Sequence, residues 1–293
     1  MPDEYLQIHA VRTVTSRNGR RVPRGALFLT LFLIVAACAK IPVPEARPDA
    51  GIPSRAAVTG VPLIVQEDFH CGPASLAMVH QWAGLDVSQA EVAELSFTPG
   101  AKGTYLADML GSARRMGRLA VQVNGTDAVL REVAAGHPVI VFQNLGIKIA
   151  PRWHYGVVVG YDLAADRVIL HSGRNERMEI PFRLFERTWA RGEHWAIVVL
   201  PPDQLPDTAD PWDIARAAAA LERADQPGAA AQTYQAGATR WPDIWIFPFG
   251  LGNARYAQGD LEGARAAYRE TLARDPGIAE AKANLATVEG ELG

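Results

Sequence analysis

The sequence predicts an α+β domain followed by an all-α module, and three observations carry that prediction. Apolar runs with helical spacing come first, between residues 71 and 116, and β-rich runs crowd 139–200. That order favours an antiparallel sheet with segregated helices over alternating βαβ units. Prolines at 201, 202, 206 and 211 then mark a boundary. Beyond it the chain is alanine-rich and superimposes on itself when shifted by 34 positions.

The first segment reads as an address. Arg17, Arg20, Arg21 and Arg24 form a basic run, and 26–36 is apolar apart from one Thr, too short to span a bilayer comfortably. Residues 1–37 therefore have the layout of a secretion signal. The closing Val35-Ala36-Ala37-Cys38 resembles the lipobox of bacterial lipoproteins. That resemblance implies cleavage before Cys38, lipidation of its sulfur, and a membrane-anchored protein of the bacterial periplasm or cell surface; an ordinary cleaved signal or an uncleaved anchor is the plainer alternative. Residues 38–60 carry Pro42, Pro44, Pro48 and Pro53 with few large apolar side chains, which predicts a flexible tether. The formal net charge of −3, with no basic cluster beyond the leader, argues against nucleic acid as a partner.

Residues 61–200 form the larger expected domain. Gly72-Pro73 followed by Ala74, Leu76, Ala77, Met78, Val79 and Trp82 predicts a buried helix with Pro in its first turn. Ser88 and Glu91 have capping-box spacing and start a helix to Leu95, which 98–100 breaks. Leu106, Met109, Leu110 and Ala113 predict a helix to about Met116, 119–123 a short strand, 126–135 a helix stopped by Gly136, and 139–142 a buried strand. Residues 154–161 and 167–171 read as an antiparallel hairpin about a turn at 162–166; strands at 178–180 and 195–200 flank a helical turn.

Two stretches carry chemistry. Only two cysteines occur, and with Cys38 in the leader, Cys71 has no disulfide partner. An unpaired thiol at the start of a helix, where free N–H groups and the positive end of the dipole lower its pKa, is a candidate nucleophile. The alternatives are a buried bystander, since cysteine packs readily in cores, and an intermolecular bridge. The second stretch is the hairpin, which His154 opens beside Trp153. His70, His80, His137, His171 and His194 read as surface or structural groups. His70, Cys71 and His154 could also hold zinc, but adjacent ligands suit a tetrahedral site poorly and no fourth is evident. The reading calls for no cofactor and no metal.

Gln66, Cys71-Gly72-Pro73-Ala74 and His154-Tyr155-Gly156-Val157-Val158-Val159-Gly160 resemble, in order and separation, the motifs of papain-like cysteine peptidases, and more closely the bacteriocin-processing (double-glycine leader) branch. The resemblance covers roughly 61–173. It implies a papain-like fold and hydrolysis of a peptide or protein substrate through a thioester. Cys71 would attack, His154 would hold and pass the proton, and Gln66 with the Cys71 backbone N–H would bind the oxyanion. This sequence departs from the family at the residue that orients the histidine: an Asp is usual, and counting along the hairpin brings Ser172 there, with Asn175, a backbone carbonyl or water as alternatives. Asp162 sits at the turn, on the order of 26 Å from His154 along an extended strand. The departure admits two rival readings, a peptidase-shaped binding module whose catalysis has lapsed and an acyl-transferring relative of transglutaminase or amidase type.

After a linker at 201–212, the 34-residue shift places Ala220 on Ala254, Ala230 on Ala264, Tyr234 on Tyr268, Arg240 on Arg274, Pro242 on Pro276 and Leu251 on Leu285. Small residues at helix crossings, an aromatic in the second helix and a closing Pro resemble the tetratricopeptide repeat. The resemblance implies two helix pairs and a half-copy over 213–293, with a surface for a protein partner; a helical stack that only caps its neighbour is the plainer alternative.

Overall fold

The computed structural model describes residues 51–67, 69–101 and 103–293. The expected export signal, the lipidation site Cys38 and residues 39–50 of the expected tether lie outside the described residues. Among the described residues, seven strands form one antiparallel sheet: β1 (Arg55–Ala57), β2 (Leu119–Asn124), β3 (Val139–Asn144), β4 (Trp153–Asp162), β5 (Arg167–Ser172), β6 (Asn175–Pro181) and β7 (Trp195–Leu200). Their order is β2-β7-β3-β4-β5-β6, with β1 laid against β4. Val139, Ile140 and Val141 of β3 are fully buried between β4 and β7, which explains why that run shows no polar alternation.

Helix α1 (Cys71–Trp82) buries every residue from Gly72 to His80, so it is a core helix rather than an amphipathic one. Its glycine is required by packing. A Cβ on Gly72 would stand 2.9 Å from Cβ and Oγ1 of Thr104, so the start of α1 is pressed onto the segment leading into α3. α2 (Gln89–Ser96) begins at the expected capping box: the Glu91 amide donates to Ser88 Oγ at 3.2 Å, and the Ser88 amide donates to Glu91 Oε2 at 2.8 Å. α3 (Leu106–Arg115), α4 (Thr126–Ala134) and α5 (Phe182–Ala190) complete this part. Helices α1, α3 and α4 and the sheet share one apolar core, in which Leu76, Met109, Ile140, Val157 and Ile197 are fully buried.

The structure corrects the expected tether. Residues 55–57 are a strand, the Val58 amide donates to the Val159 carbonyl at 2.8 Å, and Val58 is buried. The reason lies in β4, which outruns β3: β3 pairs only as far as Val158, and β1 takes the remaining register from Gly160 to Asp162. Arg55 closes the arrangement with an ion pair to Asp162.

The tail is all helical, with α6 (Pro211–Arg223), α7 (Pro227–Arg240), α8 (Ile246–Ala257), α9 (Leu261–Arg274) and α10 (Ala279–Leu292), two pairs and a half-copy. The repeating small residues sit where helices cross. A Cβ on Gly252 would meet the Tyr268 ring at 2.5 Å, and Ala230, Ala254 and Ala264 are fully buried. Leu119 and Val121 of β2 share an apolar cluster with Ile214, Ala218 and Leu221 of α6, so the stack is built onto the sheet.

The connection between the two parts is held from both sides. Glu132 of α4, fully buried, accepts from the Thr208 amide at 2.7 Å, the Asp207 amide at 3.1 Å and Thr208 Oγ1 at 2.6 Å, and its other contact is His137 Nδ1 at 2.7 Å. From α7, Arg240 donates to the carbonyls of Pro206 at 2.6 Å and Asp207 at 2.8 Å, and Thr233 Oγ1 donates to the Pro202 carbonyl at 2.7 Å.

Candidate active site

Cys71 is the first residue of α1 and is half-buried. The chain turns into it through Phe69, whose φ of +65° is a left-handed conformation that non-glycine residues seldom adopt. Burial pushes the Cys71 thiol above its ordinary value of 9.0, while hydrogen bonds from the amides of Tyr155, Gly72 and Cys71 itself pull it down without prevailing. The helix tip therefore does not by itself yield the lowered thiol pKa that the sequence suggests, because the same packing that buries α1 also strips water from the sulfur.

The Tyr155 amide is the contact that brings the two informative stretches together. It belongs to the residue after His154 on β4, and the Tyr155 hydroxyl donates to the Thr104 carbonyl at 2.8 Å, which fixes this end of β4 against the segment under Gly72. No hydrogen bond joins Cys71 to the His154 ring among the described residues; the amides of Tyr155, Gly72 and Cys71 stand near enough to the sulfur to lower its pKa. His154 is 9 % exposed and its Nε2 lies 2.9 Å from Ser172 Oγ. On the β4–β5 ladder Val157 faces His171, so Ser172 falls beside Gly156, two residues from His154 on the same face, at the diagonal spacing that lets side chains touch. In the tautomer whose Nε2–H donates to Ser172, Nδ1 is the ring nitrogen that can accept a proton. Burial first and the nearby Arg152 second hold His154 below its ordinary 6.5. Both shifts favour an uncharged thiol beside an uncharged imidazole.

Gln66 lies in the irregular segment before α1 and is half-buried. Asn175 donates through Nδ2 to the Ser172 carbonyl at 3.3 Å and leaves the serine hydroxyl to the histidine. Asp162 is engaged by Arg55 and by the Ala165 amide and takes no part. His171 is fixed between the Val61 carbonyl and the Arg177 amide, His194 pairs with Glu186 at 2.6 Å, and His70 stacks on Phe97. Among the described residues no three His, Cys, Asp or Glu side chains converge in a way that could hold a metal ion. What the sequence could not signal is the part played by the Tyr155 amide, a backbone group, and by Thr104, whose only hint is the glycine it faces.

Residues 58–196 match the Peptidase_C39 like family. No curated protein matches the chain. Among solved structures, the chain is similar to a putative C39-like peptidase from Bacillus anthracis at 20 % identity, covering 50 % of this chain and 97 % of that one with a TM-score of 0.41. It is also similar to the peptidase domain of Streptococcus ComA, described as a bi-functional ABC transporter involved in a quorum-sensing pathway, at 25 % identity over 48 % of this chain and 99 % of that one, TM-score 0.41. A third similarity is to the first TPR of Spaghetti (RPAP3) bound to an HSP90 peptide, at 23 % identity over 30 % of this chain and 69 % of that one, TM-score 0.29. The α+β part of this protein thus matches the Peptidase_C39 like family over residues 58–196, and a helical module follows it.

Proposed function

We propose that this protein is an exported, lipid-anchored cysteine peptidase in which Cys71 and His154 hydrolyse peptide bonds. The observation that carries the reading is the meeting of the α1 start with β4 at the Tyr155 amide, next to a buried histidine whose far nitrogen is held by Ser172 at 2.9 Å. In acylation Nδ1 of His154 takes the thiol proton as sulfur bonds to the substrate carbonyl carbon. The negative oxygen is met by the Gln66 amide and a backbone N–H, and each such donor typically contributes ~3 kcal/mol. As the C–N bond breaks, the imidazolium returns its proton to the leaving amine; water, deprotonated by the same ring, then releases the acid and restores the thiol. Because the resting pair is uncharged, proton transfer accompanies attack instead of preceding it.

The test is a mixture of unstructured peptides incubated with the full chain and read by mass spectrometry. Cleavage that disappears in Cys71→Ala and His154→Ala supports the reading; no cleavage, or cleavage that survives both substitutions, defeats it. The replacement of a carboxylate orienter by Ser172 favours one second reading, a peptidase-shaped binding module in which catalysis has lapsed. Peptides retained uncut with measurable affinity would establish that alternative, and transfer of the acyl group to an added amine would identify an acyltransferase.

The helical module is assigned the recruitment of a protein partner or substrate, and Cys38 the lipid anchor. Cys38→Ala is expected to move the protein from the membrane to the soluble fraction and to abolish incorporation of an alkyne-tagged fatty acid. Unchanged fractionation and labelling would remove the anchor from the proposal.

A further inference from the structure

A cleft of about 400 Å³ lies between α3, β2 and α6, where the peptidase domain meets the helical stack. Its floor is an unpaired sheet edge, since β2 is the outermost strand and bonds only to β7. Arg114 of α3 donates to the Ala120 carbonyl at 3.1 Å, which shows that residue 120 turns its backbone groups away from β7. By the two-residue period of a strand, the N–H and C=O of Gln122 turn the same way. Neither has a partner among the described residues. The unused donor and acceptor of Gln122 on an outer strand offer a place for one more strand to pair.

The walls supply charge. The Arg114 Nε is buried without a hydrogen-bond partner, and Arg223 of α6 stands close enough for its charge to act on Arg114. Asp213 is in the same cleft but pairs with Arg216. Arg114 and Arg223 have no ion pair among the described residues. Two neighbouring guanidinium groups, one partly stripped of water with an unused N–H, are held against their mutual repulsion, and a carboxylate between them would satisfy both.

We propose that this cleft binds an extended peptide segment by strand addition to β2, with a carboxylate seated between Arg114 and Arg223. None of Cys71, His154, Gln66 and Ser172 lines this cleft, and binding there does not depend on catalysis. Its position at the junction means that only the joined molecule presents it, because one wall belongs to each part.

Binding is measured by fluorescence anisotropy with the full chain carrying Cys71→Ala, so that no probe is cut. The probes are short peptides alternating valine with glutamate, glutamine or lysine, each with an amidated terminus, and the glutamine peptide also with a free terminal carboxylate. The glutamate peptide is expected to bind and the lysine peptide not to. Recovery of binding by the free-acid glutamine peptide would identify a terminal carboxylate as an acceptable source, and its absence would assign the site to acidic side chains. Arg223→Glu, at an exposed position that leaves folding intact, is expected to weaken the glutamate peptide at least about tenfold, and backbone N-methylation of that peptide to abolish binding. Equal binding of glutamate and lysine peptides, indifference to Arg223→Glu, indifference to N-methylation, or no binding of the glutamate peptide would each overturn the proposal.

Discussion

Ser172 sets the character of the candidate active site. A hydroxyl can hold the neutral imidazole in the tautomer that leaves Nδ1 open, but it cannot stabilise an imidazolium as a carboxylate does. The shifts of the two groups point the same way, with the thiol raised by burial and the imidazole lowered by burial and by Arg152, and both favour the uncharged forms. Two substitutions at this one position are expected to act in opposite directions. Ser172→Ala frees the ring and lowers kcat/KM by roughly tenfold to a hundredfold, whereas Ser172→Asp raises kcat/KM and speeds alkylation of Cys71 by iodoacetamide at about pH 6, where an ordinary thiol reacts slowly. Stopped assays of the two variants against the parent chain check both. His80 is the other residue with a consequence of its own. It is fully buried in α1, neither ring nitrogen has a hydrogen-bond partner, and burial first and Arg118 second lower its pKa to about 3. A depressed histidine binds its proton in the unfolded chain before it does in the folded one, so its effect is absent above 6.5 and grows as pH falls from 6.5 toward 3. The span corresponds to roughly 5 kcal/mol. Urea unfolding of His80→Met is expected to show a shallower loss of stability below pH 6.5 than the parent chain; parallel curves would refute the assignment.

At the level of elements, the molecule shows which structure is written locally and which is imposed from afar. The helices were legible because their signals are short-range: the Ser88–Glu91 box, Pro73 in the first turn of α1, and the recurring small residues where α7, α8 and α9 cross. The Cys71 and His154 motifs are short-range signals too, and counting along the hairpin brings Ser172 to the place where its hydroxyl meets the His154 ring. β1 was not, because nothing in Arg55-Ala56-Ala57 alternates; its strand is dictated by the bare length of β4 that β3 leaves uncovered. The direction of the thiol shift was hidden too, since a helix tip is visible in sequence while the water it loses is not. Gly72 ties these levels together. Gly72→Ala would drive a methyl group to 2.9 Å from the Thr104 side chain, at a cost of about 1–3 kcal/mol, and would push the start of α1 away from β4. Displacements near 1 Å can lower rates about a hundredfold. The variant should therefore lose far more activity than its melting temperature alone explains, and a proportionate loss of both would argue against this role.

At the scale of the whole molecule, Leu119 and Val121 of β2 share an apolar cluster with Ile214 and Leu221 of α6, which packs the helical stack against the sheet. Glu132 is central to that union. Burial works to raise its pKa, but the donors from His137, Thr208 and Asp207 outweigh it and the carboxyl ends below its ordinary 4.5. Its contribution to stability is complete above 4.5 and disappears as pH falls through the lowered value. Glu132→Gln at neutral pH is expected to remove roughly 2–4 kcal/mol and to split one calorimetric transition into two; a single unshifted transition would show that the apolar cluster suffices alone. The same clamp bears on survival. Connections between modules are where proteases most readily nick a chain, because an extended stretch can be drawn into a cleft. Here the carbonyls of Pro202, Pro206 and Asp207 and the amides of Asp207 and Thr208 are already taken by partners on either side. The joint between the two parts is thereby withheld from any protease that needs an extended, unpaired stretch of backbone.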